Sequence, residues 1–117
     1  MGKSPRRPQN PGRQKTGFGR EIIFEAEARL ELETAVDWYD DQSPGLGDRF
    51  ESEIDAAFQR ILQNPERFRL VGKTVRVASV KVFDKYSVYF TIQPDFIGVV
   101  SIFHSSRNPA ELRRRLK

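Results

Sequence analysis

Apolar positions in this chain first recur with helical spacing and later with strand spacing. Ala28, Leu32, Ala35, Val36 and Tyr39 share one helix face, with Glu27, Glu31, Asp37 and Asp41 largely off it. Gln42-Ser43-Pro44-Gly45 interrupts the pattern; Ser43 is placed to cap a second helix and Pro44 to occupy its first turn. Leu46, Phe50, Ile54, Ala57, Phe58, Ile61 and Leu62 then form the clearest amphipathic stripe, which Asn64-Pro65 ends. So short a break predicts that the two helices pack as an antiparallel hairpin. Ahead of them Glu21-Ile22-Ile23-Phe24 fits a first strand. Behind them the period changes to two. Val75–Phe83, Lys85–Gln93 and Ile97–Arg107 read as a three-strand meander, with turns at Asp84-Lys85 and Pro94-Asp95. Asn108-Pro109-Ala110-Glu111 opens a final helix. The order β-α-α-β-β-β-α predicts an α+β domain, an antiparallel-rich sheet with the helical hairpin on one face and the other face free for a partner.

Composition narrows the function classes. A chain of 117 residues, 38% hydrophobic and 31% charged, suits one soluble domain with its own core. No run approaches the roughly 18 apolar residues of a membrane span, and the basic N-terminus has no apolar stretch behind it, so no secretory signal is read. Cysteine is absent, which excludes disulfides and thiol chemistry and suits a cytoplasmic setting. With a single histidine, no metal site is expected, and no cofactor is implied.

Charge is divided along the chain. Residues 1–20 carry +6, residues 21–55 carry −10 and residues 56–117 carry +8, within a net charge of +4. Such halves either compensate within the fold or leave a basic side for an acidic partner. Residues 1–19 combine Pro5, Pro8, Pro11 and four glycines with positive charge and a single aromatic, so they read as a disordered extension to a domain over 20–117. Trp38, at the border of the first stripe, reads as packing, and Asp37-Asp40-Asp41 as a solvated helix end.

Several local motifs resemble the RelE/ParE family of toxins from type II toxin–antitoxin modules. They are A-V-D-W-Y (35–39), S-P-G-L-G-D-R-F (43–50), N-P-E-R-F (64–68), V-R (75–76), F-D-K-Y-S-V-Y-F (83–90) and S-I-F-H-S-S-R-N-P (101–109). They follow the family's order over about residues 21–115; Asp84-Lys85 replaces the single proline that many relatives have before the tyrosine. The resemblance implies the RelE/ParE-like fold and a cognate antitoxin as partner. RelE-like members cut messenger RNA on the ribosome; ParE-like members poison DNA gyrase without recognised catalytic residues; other relatives are called plasmid-stabilisation proteins.

Residue chemistry separates these branches. Cleavage by 2′-hydroxyl attack needs a proton acceptor, a proton donor and cations on the phosphate. By resemblance, RelE-like nucleases place an arginine directly after the aromatic residue opening the third strand, and a tyrosine near the C-terminus. Here Ser87 follows Tyr86, and no tyrosine follows Phe103. The ParE-like reading is therefore preferred: no catalytic residues, gyrase as target, contacts through Arg107, Arg113 and Arg114, and the antitoxin on Val75, Val77 and Val80. Direct DNA binding is not expected without the antitoxin. The nuclease alternative, with ribosome and messenger RNA as partners, would use Arg76, His104 and Arg107. Against it, His104 can simply end a strand while Arg107 pairs locally. A third reading is a non-toxic module that only binds an antitoxin-like partner.

Overall fold

The computed structural model describes residues 13–15 and 20–116. In chain order the elements are β1 (Arg13–Lys15), β2 (Glu21–Phe24), α1 (Ala26–Gln42), α2 (Leu46–Gln63), a 3-10 turn (Pro65–Arg67), β3 (Arg69–Leu70), β4 (Val75–Ser79), β5 (Tyr86–Ile92), β6 (Phe96–His104) and α3 (Pro109–Arg113). The predicted order β-α-α-β-β-β-α is present, with β1 and β3 as short additions at the two ends of the sheet. Strand order is β1-β2-β6-β5-β4-β3. Neighbours run antiparallel except β2 and β6, which are parallel, with Ile22 opposite Ile97 and Phe24 opposite Val99.

Arg13–Lys15 belongs to the extension that reads as disordered from sequence, yet it pairs with β2, Arg13 opposite Ile23. Main-chain pairing at a sheet edge needs no apolar side chains, so composition gives no sign of it. The rest of residues 1–19 lies outside the described residues.

The hairpin covers one sheet face. Phe50, Ile54, Ala57, Phe58, Ile61 and Leu62 of α2 are buried against Val88 and Phe90 of β5 and Val99 and Ile102 of β6. Burying each large side chain contributes about 1.5–3 kcal/mol, so this stripe is a major part of the core. Tyr39, Phe50, Phe83 and Tyr86 close one end of the core, with centroid separations of 5.1 Å for Tyr39–Phe50 and Tyr39–Phe83 and 4.8 Å for Phe50–Tyr86.

The helix–helix turn differs from the expected cap. Ser43 ends α1, its N–H donating to the Tyr39 carbonyl, and Gly45 precedes α2 with φ 89°. Asp40, from the last turn of α1, accepts from the Gly47 N–H at 2.8 Å and takes the capping role expected of Ser43. A Cβ on Gly47 would stand 2.5 Å from the Val36 carbonyl oxygen, so only glycine lets the two helices approach this closely.

The second sheet face is not wholly free, as the sequence had suggested. Val75 and Phe103 face away from the hairpin by strand alternation and register, yet both are buried, as is Leu112 of α3. The C-terminal arm folds back over this end. The Leu116 carbonyl lies 3.1 Å from where a Gly72 Cβ would stand, and the Arg107 guanidinium sits 4.5 Å over the Phe103 ring. Residues 80–83, read as strand, instead form a loop in which Val82 has φ 71°, a conformation that costs a β-branched residue about 1–2 kcal/mol.

Candidate functional site

Strand β6 has nine residues, and β2 pairs only with its first half, Phe96 to Val99. Beyond Val99 the edge of β6 passes to side chains. The Glu25 N–H donates to the Val99 carbonyl at 2.9 Å, and then Glu31 of α1 takes the place of a strand. Its Oε1 accepts from the Ile102 N–H at 3.0 Å and the Ser101 hydroxyl at 2.9 Å. Its Oε2 accepts from Arg107 Nη1 at 2.6 Å, and Arg115 forks across both oxygens at 2.9 and 3.2 Å. The Glu31 and Arg115 side chains are only 13% and 12% exposed, so these charge-assisted bonds are shielded from water. Burial alone would raise the Glu31 pKa, but the bonds from Arg115, Arg107, Ile102 and Ser101 outweigh it and hold the carboxyl below its ordinary value. Arg115 also donates to the Val100 carbonyl at 2.6 Å and pairs with Glu27 at 3.0 Å.

Beside this cluster a groove of about 540 Å³ opens between α1 and the ends of β5 and β6. Leu30, Thr34 and Trp38, one helical turn apart, form its α1 wall; Tyr86, His104, Ser106 and Arg107 line the other side. Leu30 is 62% and Trp38 56% exposed, so this wall is apolar and wet. Glu33, Asp37 and Asp41 are exposed elsewhere on α1, outside the groove lining. Burial and the neighbouring Tyr39 push the Tyr86 phenol up against an opposing effect of Arg107, and burial also raises Tyr39. Both phenols therefore stay neutral at physiological pH. The His104 ring stands edge-on to Tyr86 at 4.8 Å, and its Nδ1 accepts from the Ser106 N–H at 3.0 Å. With Nδ1 an acceptor, the neutral ring carries its proton on Nε2.

A helical hairpin packed on one face of a mixed sheet has a recognisable counterpart. The family model for the ParE toxin of the type II toxin–antitoxin system, parDE, matches residues 22–109, well over half of the chain. The chain belongs to the ParE toxin family. Among solved structures, a chain of the chromosomal ParDE toxin–antitoxin system from P. aeruginosa has a similar fold, with a TM-score of 0.60 and 15% sequence identity; the match covers 69% of this chain and 90% of that one. No curated protein matches the sequence.

Within this ParE-family fold the residues singled out from sequence scatter. Arg76 lies on β4 opposite Phe90, and its guanidinium donates to the carbonyls of Phe68 at 2.7 Å and Glu66 at 3.1 Å. His104 lies opposite Tyr86, four residues along β5 from Phe90 and a strand further across the sheet. The triad Arg76, His104 and Arg107 is therefore not gathered into one site; only His104 and Arg107 share the groove. Arg107 pairs with Glu31 and, at 2.9 Å, with Glu111, and these carboxylates raise its pKa against the burial that would lower it. Arg113 and Arg114 are exposed. Val75 and Val80 are buried within the chain and Val77 is half-buried, while β3 covers the edge of β4, so this trio offers a partner little surface. Among the described residues no group of three or more His, Cys, Asp or Glu is placed to hold a metal ion, and no helix is long and apolar enough to cross a membrane.

Sequence reasoning missed Glu31, Arg115 and the exposure of Leu30 and Trp38. One signal was present: the spacing Ala28-Glu31-Ala35 puts a carboxylate at the border of the apolar stripe, next to Trp38.

Proposed function

We propose that this ParE-family protein acts by protein–protein binding, with DNA gyrase as its target, and that its cognate antitoxin silences it by occupying the groove beside α1. The groove carries the reading. Two large apolar side chains, Leu30 and Trp38, stand in water above a cleft of about 540 Å³, the arrangement in which an inserted segment gains most from burial. The occupant this favours is a segment with apolar anchors that pack against Leu30 and Trp38. This differs from the acidic segment over Val75–Val80 suggested by sequence, because those valines are spent on the chain's own packing.

Exposed Arg113 and Arg114 are the target contacts in this reading, and Arg107 supports them from the ion-pair cluster. The nuclease alternative draws less support. Arg76 is engaged with backbone carbonyls away from His104, and Arg107 lies between two carboxylates that would compete with a phosphate. Purified protein should inhibit gyrase supercoiling or trap its cleavage complex, and should leave messages on translating ribosomes intact. Co-expressed antitoxin should abolish the inhibition, and Trp38→Ala should weaken its capture at least tenfold. Message cleavage lost in His104→Ala would install the nuclease reading instead.

A further inference from the structure

The Glu31 cluster joins three parts of the chain that are distant in sequence. Its carboxylate bonds β6 through Ser101 and Ile102, the turn after β6 through Arg107, and the C-terminal arm through Arg115. We infer that Glu31 is the positioning residue of the C-terminal arm: it clamps Arg107 and Arg115 so that Arg113 and Arg114 project together from a fixed α3. The functional side of this inference rests on the proposal that those two arginines meet the target.

The geometry supports a clamp rather than an incidental ion pair. Helix α3 spans only five residues, Pro109–Arg113, too short to hold itself in water. Its own cap is local: the Asn108 side chain accepts from the Ala110 N–H at 3.0 Å. Leu112 is its one buried residue, so orientation depends on what grips the ends. Arg107 grips the N-terminal side, bonded both to Glu31 and to Glu111 within α3; Arg115 grips the C-terminal side by a two-pronged fork. Both grips converge on one carboxylate of α1. Arg115 and Arg107 turn inward while Arg113 and Arg114 stay exposed, which sorts four arginines into two holders and two projecting cations.

Glu31→Gln tests this selectively. The amide oxygen can still accept from Ile102 and Ser101, so the β6 edge stays sealed, but the amide nitrogen then faces two guanidinium donors. In the full-length variant, hydrogen exchange of the 105–116 segment and tryptic cleavage after Arg113 and Arg114 should accelerate at least tenfold, with exchange across β5 unchanged. In the wild type, exchange of that segment corrected for intrinsic rates should rise as pH falls through the carboxylate range; in Glu31→Gln, where only Glu111 and Glu27 still pair with Arg107 and Arg115, the rise should be markedly smaller. Inhibition of gyrase should weaken at least tenfold. If Glu31→Gln fails to fold, Arg115→Gln removes the fork from the chain end and should release the arm in the same way. An arm as protected in the folded variant as in the wild type, or the same pH profile in both, overturns the inference, and so does a released arm with full inhibition. If wild-type protein leaves gyrase untouched, the target assignment fails while arm protection still decides the role of Glu31.

Discussion

Helices α1 and α2 have almost the same length, 17 and 18 residues, and opposite roles. Helix α2 buries seven residues in one stripe and leaves no large apolar side chain in water. Helix α1 buries four, three of them Ala or Val, and holds Leu30 and Trp38 out into solvent. One helix spends its hydrophobic residues on the fold; the other leaves two in water, where the proposed antitoxin contact lies. Glu31 lies at the boundary of these uses, tying α1 to the sheet edge and the C-terminal arm. Under the proposed function this difference assigns stability to one helix and recognition to the other, so substitutions in the two should fail in different assays.

The largest effect belongs to α2. Phe58 is fully buried and meets Phe24 edge-on at 5.6 Å, so Phe58→Ala should cost about 3–5 kcal/mol in chemical denaturation. A loss below about 1 kcal/mol would remove the asymmetry between the helices. Next is their contact. Gly47→Ala forces a methyl group against the Val36 carbonyl and the Asp40 side chain, and should destabilise by about 1–3 kcal/mol even though alanine is the better helix former. A neutral result would show that the hairpin opens easily.

Acid should act at the boundary. The Glu31 pKa is held below its ordinary value, so its contribution is fully present above the usual carboxylate range, near pH 4.3, and disappears as pH falls through the folded-state value. Thermal melts followed down in pH should therefore lose stability more steeply for the wild type than for Glu31→Gln. The smallest effect on stability is expected on the outer face of α1. Leu30→Ala and Trp38→Ala should each stay within about 0.5 kcal/mol of the wild type. Trp38→Ala should still weaken antitoxin binding at least tenfold by titration. A large loss of stability from Trp38→Ala would mean that the residue serves the fold after all.

Local patterning determined the elements of this protein. The two stripes, the Asn64-Pro65 stop, the Asn108-Pro109 helix start and the alternation of β5 are set by residues within a few positions of one another, so the helices, the main strands and their order were legible in the sequence, while the short β1 and β3 were not. The motifs spread over 35–109 likewise carried the family. What stayed hidden depends on contacts across the fold. Trp38 and Tyr39 are adjacent and both aromatic, but only the direction of the helix relative to the sheet decides which is packed and which is exposed. Val75 and Val80 look like a free strand surface until the C-terminal arm and the hairpin cover them. Arg107 and Arg115 resemble the other C-terminal arginines, and nothing local distinguishes the holders from the exposed pair. A carboxylate more than seventy residues earlier does so, because β2 ends at Phe24 and leaves the β6 edge for Glu31 to seal. Sequence fixes what a segment can form; burial and charge pairing between segments are created only when the chain closes on itself.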